Sequence, residues 1–428
     1  MYSPSDAVST GEAVHETPAE AFRRVRGLTE RLSAPLSPED CVLQSMTEAS
    51  PVKWQLAHTT WFFETFVLEA AEPGYVPADP AYRVLFNSYY NSVGEQHPRS
   101  RRGMLSRPSL AAVRDYRSRI DERMLALIES GRIDELELGS VVELGIHHEQ
   151  QHQELILTDV KHALSQSPLR GRYHSLPETP ESRTRSGGWI DGPSGLVEIG
   201  RAGRGFAFDN EGPRHAVHLG PFELAARPVT NAEYLAFMED GGYEQPELWL
   251  ADGWTAVHER GWRAPLYWER IDGIWRTYTL GGMRDLRPDE PVTHLSYYEA
   301  DAYAAWTGAR LPSEAEWEAV AAAEGGTPGR FVEDGFLHPA PAPESGADPR
   351  QMLGDVWEWT QSPYTPYPGF RAPAGALGEY NGKFMANQIV LRGGSCATSR
   401  THIRSTYRNF FYPDARWQFS GIRLARDA

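Results

Sequence analysis

The sequence predicts an α+β protein of two domains, an antiparallel four-helix bundle followed by a mixed domain of short strands and short helices. Four stretches before about residue 163 repeat their apolar side chains at helical spacing. Composition changes abruptly after Pro168, and the remainder consists of short apolar runs separated by glycine-rich turns. A chain of 428 residues is also longer than one ordinary core requires, which fits two domains or three at most. The bundle is placed at residues 14–168, a linker rich in Ser, Thr, Pro, Arg and Gly at 169–188, and the second domain at 189–428.

In the bundle, residues 18–31 read as the first helix, and a Ser/Pro-containing break at 33–40 ends it. The second helix opens at Ser50-Pro51, a cap followed by proline at the first helical position, and runs to Leu68. Residues 82–103 form a loop rich in aromatic side chains and arginines; the third helix covers 110–129 and the fourth about 133–163. In the second domain, runs at 195–200, 216–219 and 389–392 read as strands. Only two helices stand out there. Thr230 caps the first, which stops before Gly241-Gly242, and Ser296 with Glu299 forms a capping box at the start of the second. A short helical turn follows Pro312, and there is no internal repeat.

Composition narrows the function classes. A formal charge of −16, with no basic patch interleaved with aromatics, argues against nucleic acid as a partner. No apolar run approaches the roughly eighteen residues a membrane span needs. The segment from Met1 to Asp6 lacks the basic and apolar stretches of an export signal, so a cytoplasmic location is expected. Cys41 and Cys396 are the only cysteines, which excludes a multi-disulfide scaffold and a multi-thiolate zinc site. The 11% aromatic content leaves room for a subunit interface, and hence for a homo-oligomer.

The fourth helix carries the stretch on which a function can be argued. His148 and His152 lie four residues apart, about one turn, so their imidazoles stand on one face and can hold one ion between them. The alternative is a pair of surface or hydrogen-bonded buried histidines. Glu154 lies six residues from His148, roughly 240° round the helix, and so faces away from the pair as a support rather than a ligand. On the second helix Gln55, His58, Thr59, Phe62 and Phe66 share a face. A histidine in such an aromatic stripe suits a ligand in a bundle core, and equally a core histidine bonded to a backbone carbonyl. Facing helices of a bundle can build a metal site in its interior, where His58 and the pair can converge.

Five ordered motifs then resemble the formylglycine-generating enzyme superfamily, a C-type-lectin-like fold: Thr230-Asn231-Ala232-Glu233-Tyr234, residues 291–296, residues 310–318, Gly354-Asp355-Val356-Trp357-Glu358-Trp359-Thr360 and Leu391-Arg392-Gly393-Gly394-Ser395. The N-terminal part, with His148-x3-His152-x-Glu154, resembles the DinB-like bundle. Joined in this order over nearly the whole chain, the two resemble the ergothioneine-biosynthesis non-haem iron sulfoxide synthases. The resemblance implies iron(II) as cofactor, held by His58, His148 and His152, with positions left for two substrates and dioxygen. It implies the oxygen-dependent coupling of a thiol amino acid to C2 of the imidazole of Nα-trimethylhistidine (hercynine), giving a sulfoxide.

The same resemblance assigns further roles. A tyrosine supplies a proton near the bound oxygen; no tyrosine aligns in residues 365–373, and Tyr89-Tyr90 in the bundle loop match the arrangement of the cysteine-using branch. Arg99 and Arg102 match the family's arginine loop, whose guanidiniums suit a substrate carboxylate. Gln151 and Asn409 are assigned to the amino-acid end of hercynine, and Phe410 and Phe411 to its quaternary ammonium. The branch that uses γ-glutamylcysteine carries Asn-Trp-Asp where this chain has Asn409-Phe410-Phe411, so free cysteine is the expected thiol. Arg392, Asp414 and Arg416 are weaker candidates for the thiol side of the pocket. A single cysteine, Cys396, follows the Arg-Gly-Gly-Ser motif where sulfatase-activating enzymes have a pair, which speaks for packing and against sulfatase activation. The alternatives are a γ-glutamylcysteine-using, ovothiol-type or selenium-inserting homologue and, in another class, a lectin-like binding protein on an idle bundle.

Overall fold

The computed structural model describes residues 16–177, 187–203, 205–324, 326–344 and 348–428. The segment from Met1 to Asp6 and linker residues 178–186 lie outside them. The four expected bundle helices are present: α1 (Pro18–Ser33), α2 (Val52–Phe63), α3 (Leu110–Glu129) and α4 (Gly139–Ser165). Thr17 and Glu20 form a capping box at the start of α1, and Ser109 caps α3, satisfying amides that would otherwise lack partners. α2 packs against α3 and α4, and α1 against α4 and α3.

Three details differ from the sequence reading. Ser50 does not cap α2; its amide donates to Asp159 and its hydroxyl accepts from Arg102. α2 runs on as a π-helical turn, Glu64–Leu68, which shifts the helical register beyond Phe63. The fourth helix begins at Gly139 rather than near residue 133, because Arg132–Glu135 is a separate turn and Glu137 stands at φ 56°, outside helical space. Gly145 lets α2 and α4 close: a Cβ there would lie 2.5 Å from the Phe63 ring.

The second domain contains strands β1 (Trp189–Asp191), β2 (Gly195–Ile199), β3 (His215–Leu219), β4 (Phe222–Ala225), β5 (Trp268–Ile271), β6 (Ile274–Thr279) and β7 (Gly282–Asp285). It continues with β8 (Trp357–Pro363), β9 (Ile389–Arg392), β10 (Asn409–Phe411), β11 (Ser420–Gly421) and β12 (Ala425–Asp427). They form a β2-β3 hairpin, sheets of order β1-β4-β12 and β5-β6-β7, and a four-stranded sheet β10-β9-β8-β11 whose β8-β11 pair is parallel. Among the described residues four α-helices accompany them, α5 (Asn231–Glu239), α6 (Ala251–Arg260), α7 (Tyr297–Trp306) and α8 (Glu314–Glu324), where the sequence indicated two helices and a turn. α6 escapes a sequence reading because Gly253 looks like a breaker; here it admits Tyr298, whose Cβ would lie 2.8 Å from an added methyl.

The described part of the expected linker is tied down. Tyr173 donates its amide to Leu280 and its hydroxyl to Leu32, reaching both domains. One apolar cluster runs from Trp54, Trp61 and Leu157 in the bundle to Trp357, Trp359 and Tyr407 in the second domain. α4 has no exposed residue from position 144 to 165. Its Glu149, fully buried, accepts from Arg26 at 2.8 Å, from Thr29 at 2.7 Å and from Arg117. Burial alone would raise this carboxyl, but the two guanidiniums hold it down to about 2. The variant E149Q removes the buried anion that Arg26 and Arg117 share and leaves each with one partner nearer the surface, Asp121 and Glu30. Its expected cost is about 3–5 kcal/mol, read as a lower urea midpoint at unchanged m-value.

Candidate metal centre

α2 and α4 bring His58, His148 and His152 together, with one ring nitrogen from each lying within 4.8 Å of the others. His58 Nε2 is 3.2 Å from His148 Nε2. His58 Nδ1 donates to the Phe86 carbonyl at 2.6 Å, and His152 Nδ1 donates to Gln55 Oε1 at 2.7 Å. These two bonds fix the tautomers of His58 and His152, so that Nε2 of each carries a lone pair facing the shared space, while His148 Nδ1 has no hydrogen-bond partner among the described residues. Burial pushes all three imidazoles below their ordinary value, His148 to about 3, and the rings repel one another's protonated forms. Three neutral imidazoles with converging lone pairs fit a divalent transition metal and leave coordination positions free. Among the described residues no carboxylate joins them: Glu149 is taken up by the bundle arginines, and Glu154 accepts from Trp357 Nε1 at 2.6 Å, Ser395 Oγ at 2.8 Å and Thr398 Oγ1 at 3.0 Å. Glu154 is thus a clamp between the domains, as its helical phase indicates.

The rings are held by packing. His58 stacks between Trp54 at 4.6 Å and Trp61 at 5.6 Å, and Phe62 lies 4.8 Å from His148. Behind His152, Gln55 Nε2 donates to Asp159 Oδ2 at 2.9 Å, which sets the amide so that its oxygen faces the imidazole. Burial pushes the Asp159 carboxyl up to about 7 despite the Ser50 amide and the nearby Arg99 and Arg102 charges. Arg102 is itself buried; its guanidinium lies 3.4 Å from the Trp54 ring centre, donates to Ser50 Oγ, and keeps an Nε with no hydrogen-bond partner among the described residues. Burial, then the Arg99 charge, push it down to about 8. Arg99 is exposed and donates to the Glu48 carbonyl.

The second domain closes the site. Gln151 Nε2 donates to the Tyr407 hydroxyl at 2.6 Å, and Gln151 Oε1 accepts from the Tyr380 hydroxyl. The Tyr380 ring meets His148 edge-on at 5.7 Å. Tyr380 is the residue the sequence reading missed. It lies beyond residues 365–373, on an irregular loop with no periodicity to mark it. Tyr90 packs on Trp61, Phe62 and Phe66, and Tyr89 lies tilted against Tyr90 at 4.7 Å and meets Tyr380 at 6.4 Å. Asn409, Phe410 and Phe411 form β10; Phe410 stacks on Tyr364 at 4.0 Å and Phe411 meets Trp417, so their ring contacts are within the second domain.

The remaining candidates have other partners. Arg392 is fully buried and donates to Glu314, Glu318, Tyr367 and two backbone carbonyls. Arg416 donates to Glu299 at 2.8 Å, and Asp414 accepts from Arg260 at 2.5 Å. Cys396 is fully buried, and burial pushes its thiol up.

A helical bundle whose three neutral histidines converge at a domain interface defines a protein built to hold a metal ion. Residues 21–156 match the DinB superfamily, and residues 177–347 and 337–428 match the sulfatase-modifying factor enzyme 1-like domain. The chain is 36% identical to the hercynine oxygenase of Mycobacterium tuberculosis over 88% of this chain and 91% of that protein. It is 35% identical to that of Mycolicibacterium thermoresistibile over 88% and 87%, and 32% identical to the formylglycine-generating enzyme of Streptomyces coelicolor over 58% and 92%. The chain belongs to the hercynine oxygenase family. Among the described residues no helix is long and apolar enough to cross a membrane.

Replacing His58 or His152 by Ala is expected to take the bound metal from about one per chain to near none, since two imidazoles do not complete the set. Gln55→Leu removes the bond that orients His152 and is expected to weaken metal binding about 10–100-fold in a chelator competition.

Proposed function

We propose that the protein catalyses the iron(II)- and oxygen-dependent joining of cysteine to hercynine, giving hercynylcysteine sulfoxide. The observation that carries this reading is the all-histidine set with the Tyr380 ring edge-on to His148 and the Tyr380 hydroxyl held by Gln151 of the ligand helix. The reaction balances as one C–H and one S–H lost to a C–S bond, with one oxygen atom on sulfur and the other leaving as water. Iron(II), when bound, supplies the one-electron chemistry that lets dioxygen react with a thiolate. A ligand set without carboxylates leaves the positive charge of the ion to be met by an anionic substrate, which favours the thiolate form of cysteine.

The chain's own residues then bind and orient. Arg102, buried with an Nε unused, is suited to receive a substrate carboxylate, with Arg99 adding long-range charge. Gln151 reaches from the ligand helix to the second domain, where its amide can meet the amino-acid end of hercynine, the role also assigned to Asn409, with Phe410 and Phe411 assigned to the quaternary ammonium. Tyr380 is the proton donor in this reading: its ring meets a ligand histidine, whereas the Tyr90 contacts are to Trp61, Phe62 and Phe66. Cysteine rather than γ-glutamylcysteine is favoured because β10 carries two phenylalanines and no acid, and the nearby Asp414 is already paired with Arg260.

Oxygen uptake and product mass with hercynine plus either thiol test the assignment. Cysteine is expected to support both, and a clear preference for the dipeptide overturns it. Tyr380→Phe is expected to slow sulfoxide formation about 10²–10⁴-fold with metal content unchanged.

A further inference from the structure

The loop of residues 376–384, which carries Tyr380, has no strand partner and consists of two short 3₁₀ turns, Ala376–Glu379 and Gly382–Phe384. Its attachment to the bundle centres on one side chain. Glu379 Oε2 accepts the Asn91 amide at 2.9 Å, and Oε1 accepts the Ser92 amide at 2.8 Å and the Ser92 hydroxyl at 2.6 Å. Lys383, one helical turn on, donates to Glu379 Oε2 at 2.7 Å and to the Tyr89 carbonyl. Phe384 meets the Tyr89 ring edge-on at 5.2 Å. Two consecutive amides aimed at one carboxylate form a small anion-binding nest, contributed by the bundle to an acid from the other domain.

We infer that Glu379 is a positioning residue: it latches this loop onto residues 91–92 and so sets the Tyr380 ring beside His148, with its hydroxyl on Gln151. The inference rests on the reading of Tyr380 as proton donor. Tyr380 is the next residue in the chain, so the pivot is one peptide from the group it places. Its hydroxyl has Gln151 as partner and its ring stacks on Phe208 at 5.4 Å, contacts that fix the ring only while the loop is down. Burial opposes the charged carboxylate, but Lys383 and the Ser92 and Asn91 donors outweigh it and hold Glu379 down to about 2, so the latch is charged at working pH. This arrangement also gives the Tyr89-Tyr90 pair a place: Tyr89 forms the floor on which Phe384 and Lys383 settle.

The test uses the metal-loaded full chain as E379A, Y380F and the double variant, together with 3-fluorotyrosine placed at position 380 and read by fluorine NMR. E379A is expected to lower kcat for sulfoxide formation about tenfold or more, with metal content and the KM for cysteine near wild type, because small misplacements of a reacting group act on kcat. The double variant is expected to be no slower than Y380F, and the fluorine line to shift or broaden in E379A. If the two kcat losses multiply, Glu379 acts apart from Tyr380 and the proposal is overturned. An unchanged fluorine line in E379A overturns it as well, because the loop is then held without the latch. Y380F at the wild-type rate overturns the reading of Tyr380 as donor, while the fluorine line still decides whether Glu379 holds the loop.

Discussion

The constraint on which the rest of the structure depends is the burial of α4 on every side. No residue from position 144 to 165 is exposed, yet this stretch contains four histidines, two of them outside the ligand pair, together with two glutamates, three glutamines, an aspartate and a lysine. A polar group removed from water without a partner costs several kcal/mol, so the neighbours of α4 are dictated by it. Its faces divide the work. Glu149 and Gln153 turn to α1 and α3, where Arg26, Thr29, Arg117 and the Val25 carbonyl meet them. Gln150, Gln151, Glu154 and Lys161 turn to the second domain, where Ser399, Tyr407, Trp357 and His294 meet them. His148 and His152 are left facing α2, and their nitrogens converge with His58.

That division also sets the electrostatics of the centre. The carboxylates nearest in sequence to the ligands are consumed elsewhere, one by a pair of guanidiniums and one by three neutral donors across the domain joint. The space between the histidines is bordered instead by neutral rings and by Arg102, which burial makes an uneasy cation. An anion is the natural complement of such a pocket. The indole of Trp54 mediates, stacked with His58 and in contact with the Arg102 guanidinium, so ligand and cation share one rigid support.

Much of this was legible in the sequence. The bundle helices announce themselves by periodicity, the four-residue spacing of His148 and His152 places two ligands on one face, and the phase of Glu154 separates it from them. His58 could be argued only as one of two readings until α2 and α4 were seen to meet, because convergence depends on the Gly145 contact with Phe63. Gln55 was visible on the His58 face, but its purpose depends on Asp159, which lies two turns beyond His152 and carries no motif of its own. Tyr380 was illegible for a different reason: it sits on a loop whose position is set by contacts from Asn91 and Ser92, nearly three hundred residues earlier in the chain. Helix α6 was hidden by Gly253, since a close approach between elements and a helix break have the same signature in one dimension.

The apolar cluster that runs from Trp54 to Trp357 without a seam has a thermodynamic consequence. Two domains joined by a continuous core and by the buried Glu154 bonds lose their contacts together, so they share one unfolding equilibrium. A ligand that binds the native state alone adds RT ln(1 + [L]/Kd) to that equilibrium, about 2.7 kcal/mol at a hundredfold excess over Kd. Occupancy of the three histidines, all of them in the bundle, is thereby entered in the stability of a domain that supplies none of them.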